Sequence, residues 1–362
     1  MRAVALRAGI LAGAGFLALL GPVAVRADTL REALAEAYRT NPTLAAARAQ
    51  QRAIDEGVAI ERAAGLPSAT AQGTYTELLK NSPIAFTAPE RVFNGQVQLG
   101  VPIYSGGAVR NAVRAAQTRV AAGQADLRAT ESAIFSQVVA AYMDVISSEA
   151  VLGLSRNQVD VLAVNLEATR DRFEIGDLTR TDVAQSQARL ALAEGDARNA
   201  AANLIAARET YLRLVGKPPA TLAPPPPLPN LPASADEAVA VALDFNPDII
   251  AAKERARAAE RDLAVAGAGR LPSLDLFSTG AYQDYFGSLG GAIGGADFAQ
   301  SETTAQIGAR VTVPIFQGGR PAALRRQAQA RAGAALETEI AIERDVIAQT
   351  RAAFSAWRAS LD

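Results

Sequence analysis

The chain has no cysteine and no histidine in its 362 residues, and only 5% of it is aromatic. Without Cys or His there is no disulfide framework, no zinc finger, no Cys/His or Ser/His/Asp catalytic machinery, and no haem held by a His or Cys ligand. A carboxylate-only enzyme or a hard-cation site stays open, and no cofactor is expected. An excess of one charge is also missing: 36 Lys+Arg stand against 37 Asp+Glu, which offers nucleic acid nothing to bind. Beyond residue 27 no uninterrupted apolar run approaches the ~18 residues of a membrane-spanning helix. If the mature protein enters a membrane, it must do so as strands.

The first 27 residues stand apart. Arg2 and Arg7 precede an apolar run from Ala8 to Val25, and Val25 and Ala27 place small residues at the minus-three and minus-one positions before Asp28. This is the pattern of a secretory signal peptide spanning residues 1–27. Its removal takes away Arg2, Arg7 and Arg26, leaving 33 basic against 37 acidic residues and a net charge of −4. The absence of Cys after the cleavage point excludes lipoprotein acylation.

What the sequence does contain is an internal repeat. Asn41-Pro42 recurs as Asn246-Pro247 and Leu66-Pro67-Ser68 as Leu271-Pro272-Ser273, both at a separation of 205. Glu32 to Ser68 matches Glu237 to Ser273 at 15 of 37 positions; eight matches are Ala, which an alanine-rich chain gives easily, and seven are not. Val101-Pro102-Ile103-Tyr104-Ser105-Gly106-Gly107 recurs as Val313-Pro314-Ile315-Phe316-Gln317-Gly318-Gly319 at a separation of 212. The expected organisation is a first repeat over 28–216, a Pro-rich linker over 217–233 and a second repeat over 234–362.

Each repeat opens with an Ala/Arg/Glu-rich helical stretch, broken early at the Asn-Pro and ended at Leu-Pro. The period then changes to two. Val97, Leu99, Val101 and Ile103 alternate with polar or small residues, and so do Ala305, Ile307, Ala309, Val311, Val313 and Ile315. Ser68 to Glu77 and Ser273 to Gln283 read as weaker partner strands. The expectation is two hairpins, 68–104 and 273–316, with four strands of about 10 residues, a length that crosses a bilayer when tilted. Half-buried strands of a soluble sheet share this local pattern. Four strands cannot close a barrel alone, so transmembrane strands require several chains to pool them.

From Ala108 to Ile175 there is no proline, and apolar residues fall in heptads: Val113, Val120, Leu127 and Ile134, then Val138, Val145, Leu152, Val159, Leu166 and Phe173. A sustained seven-residue repeat predicts a long supercoiled helix over 106–175, ~100 Å at 1.5 Å per residue. Gly176 suits a helix C-cap, and Thr179 with Asp182 forms an acidic capping box. A turn at 176–179 therefore leads into a returning helix over 180–214. In the second repeat, 319–361 reads as a single helix.

Taken together, these features resemble the TolC-type outer-membrane channel proteins of bacterial efflux and type I secretion. The resemblance rests on the Asn-Pro helix start, the Leu-Pro-Ser junction, the Val-Pro-Ile-(Tyr/Phe)-x-Gly-Gly junction, and Arg172-Phe173-x-x-Gly176-x-x-Thr179-x-x-Asp182-Val183. It implies a mainly α fold with transmembrane β: long coiled-coil helices forming a periplasmic α-barrel, and four strands per chain contributing to a trimeric 12-stranded β-barrel. It further implies a homotrimer in the outer-membrane lipid, a periplasmic adaptor protein, and an inner-membrane pump or ABC transporter. Gly176, Leu178, Thr179 and Asp182 would then form the adaptor-docking tip. Pro67, Pro102, Gly106, Gly107, Pro272, Pro314, Gly318 and Gly319 would make the helix–strand junctions.

One departure from the family pattern is visible. Asp362 aligns with Ala150 at the separation of 212, so counterparts of Val151 to about Leu214 do not appear, and the second repeat is expected to be incomplete at its C-terminus, its last helix lacking a returning partner. The competing readings are a periplasmic coiled-coil adaptor or scaffold, which calls for a compact β domain beside a single helical hairpin, and a carboxylate enzyme. Asp284, Asp297 and Glu302 lack regular calcium-ligand spacing, and Glu56 and Glu61 read as solvated helix faces. Arg310 falls on the polar side of its strand, at a pore lining or a solvated strand end.

Overall fold

The computed structural model describes residues 28–80, 89–226, 231–289 and 299–361; the signal-peptide segment, part of the linker and Asp297 lie outside the described residues. The elements run α1 (Leu30–Thr40), α2 (Pro42–Ala63), β1 (Ser68–Glu77), β2 (Arg91–Tyr104), α3 (Ala108–Glu174), α4 (Arg180–Val215), α5 (Ala235–Phe245), α6 (Pro247–Ala268), β3 (Ser273–Asp284), β4 (Ser301–Thr312) and α7 (Arg320–Ala359). The chain is mainly helical, and its strands form one antiparallel sheet in the order β1-β2-β3-β4.

The Asn-Pro pairs work identically in both repeats. Asn41 Oδ1 accepts from the backbone N–H groups of Thr43 (2.9 Å) and Leu44 (3.4 Å), and Asn246 Oδ1 from those of Asp248 (2.8 Å) and Ile249 (3.4 Å). Each Asn is extended at its N-cap position, and each Pro occupies the first helical position, where a missing N–H costs nothing. The 22-residue helices that follow are of equal length.

Residues group into two compact units that do not coincide with the two sequence repeats. One comprises the described residues up to Ala37 together with Val138–Pro226. Its centre is Tyr142, whose hydroxyl lies between and donates to the carbonyls of Ala223 (2.6 Å) and Asp28 (2.8 Å). Asp28 and Leu222 form a parallel bridge there, and Lys217 pairs with the Asp28 carboxylate at 3.0 Å. Tyr142, Val138, Val145, Tyr211 and Val215 are fully buried. Burial pushes the Tyr211 phenol up to about 12, with the Asp28 charge adding to the shift. Arg208 of α4 pairs with Glu149 of α3 at 2.8 Å.

The other unit comprises Tyr38–Gln137 and the described residues beyond Pro226, and it contains the whole sheet. Its helical core is built largely from alanine: Ala115, Ala116, Ala122 and Ala125 of α3, and Ala251, Ala252, Ala256 and Ala258 of α6 are buried beside Leu44 and Ile249. Small side chains let helices approach closely and leave little room for large ones. Two ion pairs tie α3 to α6, Arg119 to Asp262 and Arg255 to Asp126. By length and composition α3 contains a window apolar enough to cross a membrane. Ile134, Val138, Tyr142 and Val145 of α3 are buried within the chain, whereas Val151, Leu154, Val161 and Val164 are exposed.

β4 ends at Thr312, three residues short of the alternation that runs to Ile315. Pro314 has no N–H to donate, and the ladder stops before it. In the first repeat β2 continues through Pro102 to Tyr104, at the cost of a register shift between those two residues.

Candidate functional site

Strand register sorts every sheet residue onto one of two faces, because directly paired residues of antiparallel strands point the same way. Across one face run the rows Ala69–Leu99–Ser278–Ile307 and Ala71–Val97–Gly280–Ala305, with Val101–Leu276–Ala309 beyond them. Across the other run Thr70–Gln98–Thr279–Gln306 and Thr74–Asn94–Gln283–Glu302. The first face is apolar and uncovered by the described residues; Ile307 is 86% exposed. The second consists mostly of hydroxyls and amides. A soluble sheet would bury its apolar face, so this arrangement is inverted with respect to water.

Arg310 lies on the polar face, opposite Asp275, with its guanidinium 5.1 Å from the centre of the Phe277 ring. Among the described residues no cluster of three or more carboxylates suits a metal. Asp284 instead accepts from the Tyr282 hydroxyl (2.9 Å) and the Phe286 N–H (2.8 Å).

The junction prolines and glycines sit where helix meets strand. Pro67 and Pro272 each separate a helix end from the first residue of a strand, Ser68 and Ser273. Gly106-Gly107 and Gly318-Gly319 adopt positive φ and turn the chain from strand into helix. Pro102 lies inside β2 and Pro314 just beyond β4.

The turn between α3 and α4 closes on itself. Gly176, at φ +86°, is its left-handed residue: its N–H donates to the Phe173 carbonyl (3.0 Å) and that of Asp177 to the Arg172 carbonyl (2.9 Å), the two bonds of a Schellman motif. Arg172 then clips the Asp177 carboxylate from Nε at 2.8 Å. Thr179 caps α4 in a reciprocal box: its N–H donates to Asp182 Oδ2 (2.9 Å), and its Oγ1 accepts from the Asp182 N–H (3.4 Å). Hydrogen bonds from the Thr179 backbone and hydroxyl, with a smaller contribution from Arg172, hold the Asp182 carboxyl below the usual carboxylate range.

Gly176, Thr179 and Asp182 are therefore brought together, while Leu178 is half-buried. The apolar side chain this turn presents is Ile175, 81% exposed, which the cap pattern gave no reason to single out. Its signal in the sequence is an isoleucine directly before the C-cap glycine, outside the heptad line that ends at Phe173.

A model for the outer membrane efflux protein family matches residues 33–217 and 238–362. Outer membrane efflux protein BepC of Brucella suis biovar 1 (strain 1330) is 34% identical over 334 residues, covering 92% of this chain and 70% of the relative. Outer membrane protein TolC of Vibrio cholerae serotype O1 is 24% identical over 335 residues, covering 91% and 74%. A solved structure of CusC superposes with a TM-score of 0.74 at 18% identity, covering 91% of this chain and 76% of that one. Channels of this family are trimers that work with adaptor and pump partners, and they carry out no chemistry of their own. The chain belongs to the outer membrane efflux protein family, and it is an outer-membrane channel protein, not an enzyme.

Proposed function

We propose that three copies of this chain pool their sheets into a single twelve-stranded barrel, and that its pore is the passive exit duct of an assembly powered by an inner-membrane pump or ABC transporter. The observation that carries this reading is the sheet itself: one apolar face, one polar face, and two outer edges, β1 and β4, without strand partners among the described residues. Hydrocarbon offers nothing to a free backbone N–H or C=O, so open edges do not persist there. Four strands from each of three copies give an even number within the range of outer-membrane barrels. The rows containing Leu99, Val97 and Ile307 then meet lipid, and those containing Thr70, Gln98 and Gln306 line the pore.

The turn at 172–182 is the proposed adaptor contact. Its backbone is locked from both sides, so Gly176, Thr179 and Asp182 hold a fixed shape that presents Ile175, with Leu178 alongside. A rigid patch with exposed apolar anchors, Ile175 at 81% and Phe173 at 38%, loses little order on docking.

Outer-membrane fractionation and mass measurement in detergent test the barrel. The expected result is an outer-membrane protein with the mass of three chains and heat-modifiable migration on gels; a monomer stable in micelles would overturn it. For the turn, single cysteines at Ile175 or Leu178 are expected to cross-link to the adaptor in cells, and cysteines beside Gly107 are not. The reverse pattern would place the docking surface at the junctions.

A further inference from the structure

The two ends of the sheet differ in charge. Ser68 opposite Gly100, Tyr104 opposite Leu274 and Ser273 opposite Thr312 put all four helix connections at one end. Glu77 opposite Arg91 and Asp284 opposite Ser301 put both hairpin loops at the other. At the loop end Glu77, Glu90, Asp284 and Glu302 outnumber Lys80 and Arg91 among the described residues. At the helix end the balance reverses. The first seven residues of α3 and of α7, about 10 Å of helix, hold Arg110, Arg114, Arg320, Arg325 and Arg326 and no acidic residue. The incoming helices and their connections add Arg62 and Arg270 against Glu61 and Asp262.

The five arginines of α3 and α7 are exposed, and none has a carboxylate partner among the described residues. Farther along the same two helices, Arg119 pairs with Asp262 and Arg351 with Asp236. Helix stability does not account for the unpaired ones. The start of a helix is the positive end of its dipole and favours acidic side chains, as Asp182, Asp236 and Asp248 show in α4, α5 and α6. Arg110 and Arg320 lie in a first turn against that preference, which an anion from outside the chain would relieve.

Their height along the molecule identifies the anion. Tyr104 and Phe316, the last aromatic residues before α3 and α7, are 50% and 88% exposed, and exposed aromatic side chains mark the edge of the hydrocarbon around membrane strands. Arg110 follows Tyr104 by six residues and Arg320 follows Phe316 by four. A headgroup layer is about 5–8 Å deep on each side of the hydrocarbon, within reach of long side chains on the first two turns of a helix. The charges also spread instead of converging. Arg110 and Arg114 share one face of α3, whereas the neighbours Arg325 and Arg326 diverge by about 100° around α7. That arrangement fits a layer of anions and not one small ion. We infer that the arginines at the start of α3 and α7 bind the phosphate headgroups of anionic lipids in the leaflet nearest the helices. This rests on the strands crossing the membrane as proposed above, and adds a lipid partner beside them.

The test removes equal charge from two places in the full chain. One variant combines Arg110→Gln, Arg114→Gln, Arg320→Gln, Arg325→Gln and Arg326→Gln. A second carries the same change at Arg128, Arg189, Arg331, Arg344 and Arg358, farther from the strands, and a third replaces the first five by Lys. Each is purified in detergent, its assembled mass is measured, and it is offered equal amounts of phosphatidylglycerol and phosphatidylcholine, whose retention is counted by native mass spectrometry. The unsubstituted chain, the distant Gln variant and the Lys variant are expected to retain the anionic lipid at least about tenfold over the zwitterionic one, a ratio that two arginines per headgroup supply. The first variant is expected to retain both equally. Arg110→Gln with Arg320→Gln alone should reduce the preference, which keeps the test decisive if the fivefold change prevents assembly. An undiminished preference in the first variant, or an equal loss in the distant one, would overturn the site. Displacement of the lipid by an equal concentration of inorganic phosphate would overturn the lipid as the partner and assign the arginines to soluble anions. A trimeric mass with no lipid preference in any of these proteins would overturn the site and leave the barrel standing. A monomeric mass for the unsubstituted chain would overturn the barrel, and the site with it.

Discussion

The sheet and the turn at 172–182 both expose apolar side chains, but they do so for different physical reasons. The turn is complete in itself: a Schellman motif on one side and a capping box on the other close its backbone, and Ile175 projects from a finished structure. The sheet is incomplete in itself, with two bare edges and an apolar face that nothing among the described residues covers. Exposure on the turn permits a partner, whereas exposure on the sheet demands one. On the proposed reading, assembly through the strands is part of folding this protein, and docking at the turn is a later, separable event.

The largest expected effect breaks the sheet side of that contrast. Ile307→Arg or Leu99→Arg puts a charge on the lipid face and is expected to cost about 2–4 kcal/mol near the bilayer midplane. Gln98→Arg and Gln306→Arg, one residue away on the polar face, should cost little. The temperature at which the barrel band is lost on gels reads the difference, and equal effects on both faces would contradict the assignment.

A smaller effect is expected at the turn. Thr179→Ala removes the hydroxyl that accepts the Asp182 N–H and should cost about 1 kcal/mol in a denaturant midpoint, without changing the assembled mass. Smaller again is a pH effect. Asp182 titrates lower in the folded protein than in the unfolded chain, so its contribution is fully present above the unfolded carboxylate value and is lost as pH falls through the depressed folded one. The hydrogen-exchange protection of the first turn of α4, taken relative to the intrinsic rate at each pH, should fall on acidification, and Asp182→Asn should remove that fall. The smallest structural effect belongs to Ile175→Ser, which should leave stability and mass unchanged and reduce only adaptor cross-linking in cells.

Much of this was legible in the sequence because the local signals were strong. Asn-Pro as cap and first helical residue, Gly-Gly as a left-handed pair, and Thr179 with Asp182 as a capping box all depend on residues within four positions of one another. Of the heptad lines, Ile134, Val138, Val145, Leu152 and Leu166 fall on buried positions, Val113, Val120, Leu127 and Val159 are half-buried, and Phe173 is exposed. The rest needed long-range information. β1 looked weak because its apolar row is Ala69, Ala71, Gly73 and Tyr75, small residues whose face becomes evident only beside Leu99 and Val97. Tyr142 lies off the heptad lines, and its role depends on carbonyls 114 and 81 residues away in sequence. The end of β4 required weighing Pro314 against an alternation that continues past it.

The central claim is that the alternating residues of the strands divide between lipid and water. Single cysteines at Val97, Leu99 and Ile307, and at Gln96, Gln98 and Gln306, can be introduced into a chain that has none and challenged in intact outer membranes with a charged, water-soluble maleimide. The account predicts labelling at 96, 98 and 306 and protection at 97, 99 and 307, with the pattern lost when the barrel is unfolded. Labelling that is uniform along the strands, or protection on the polar rows instead, would contradict it.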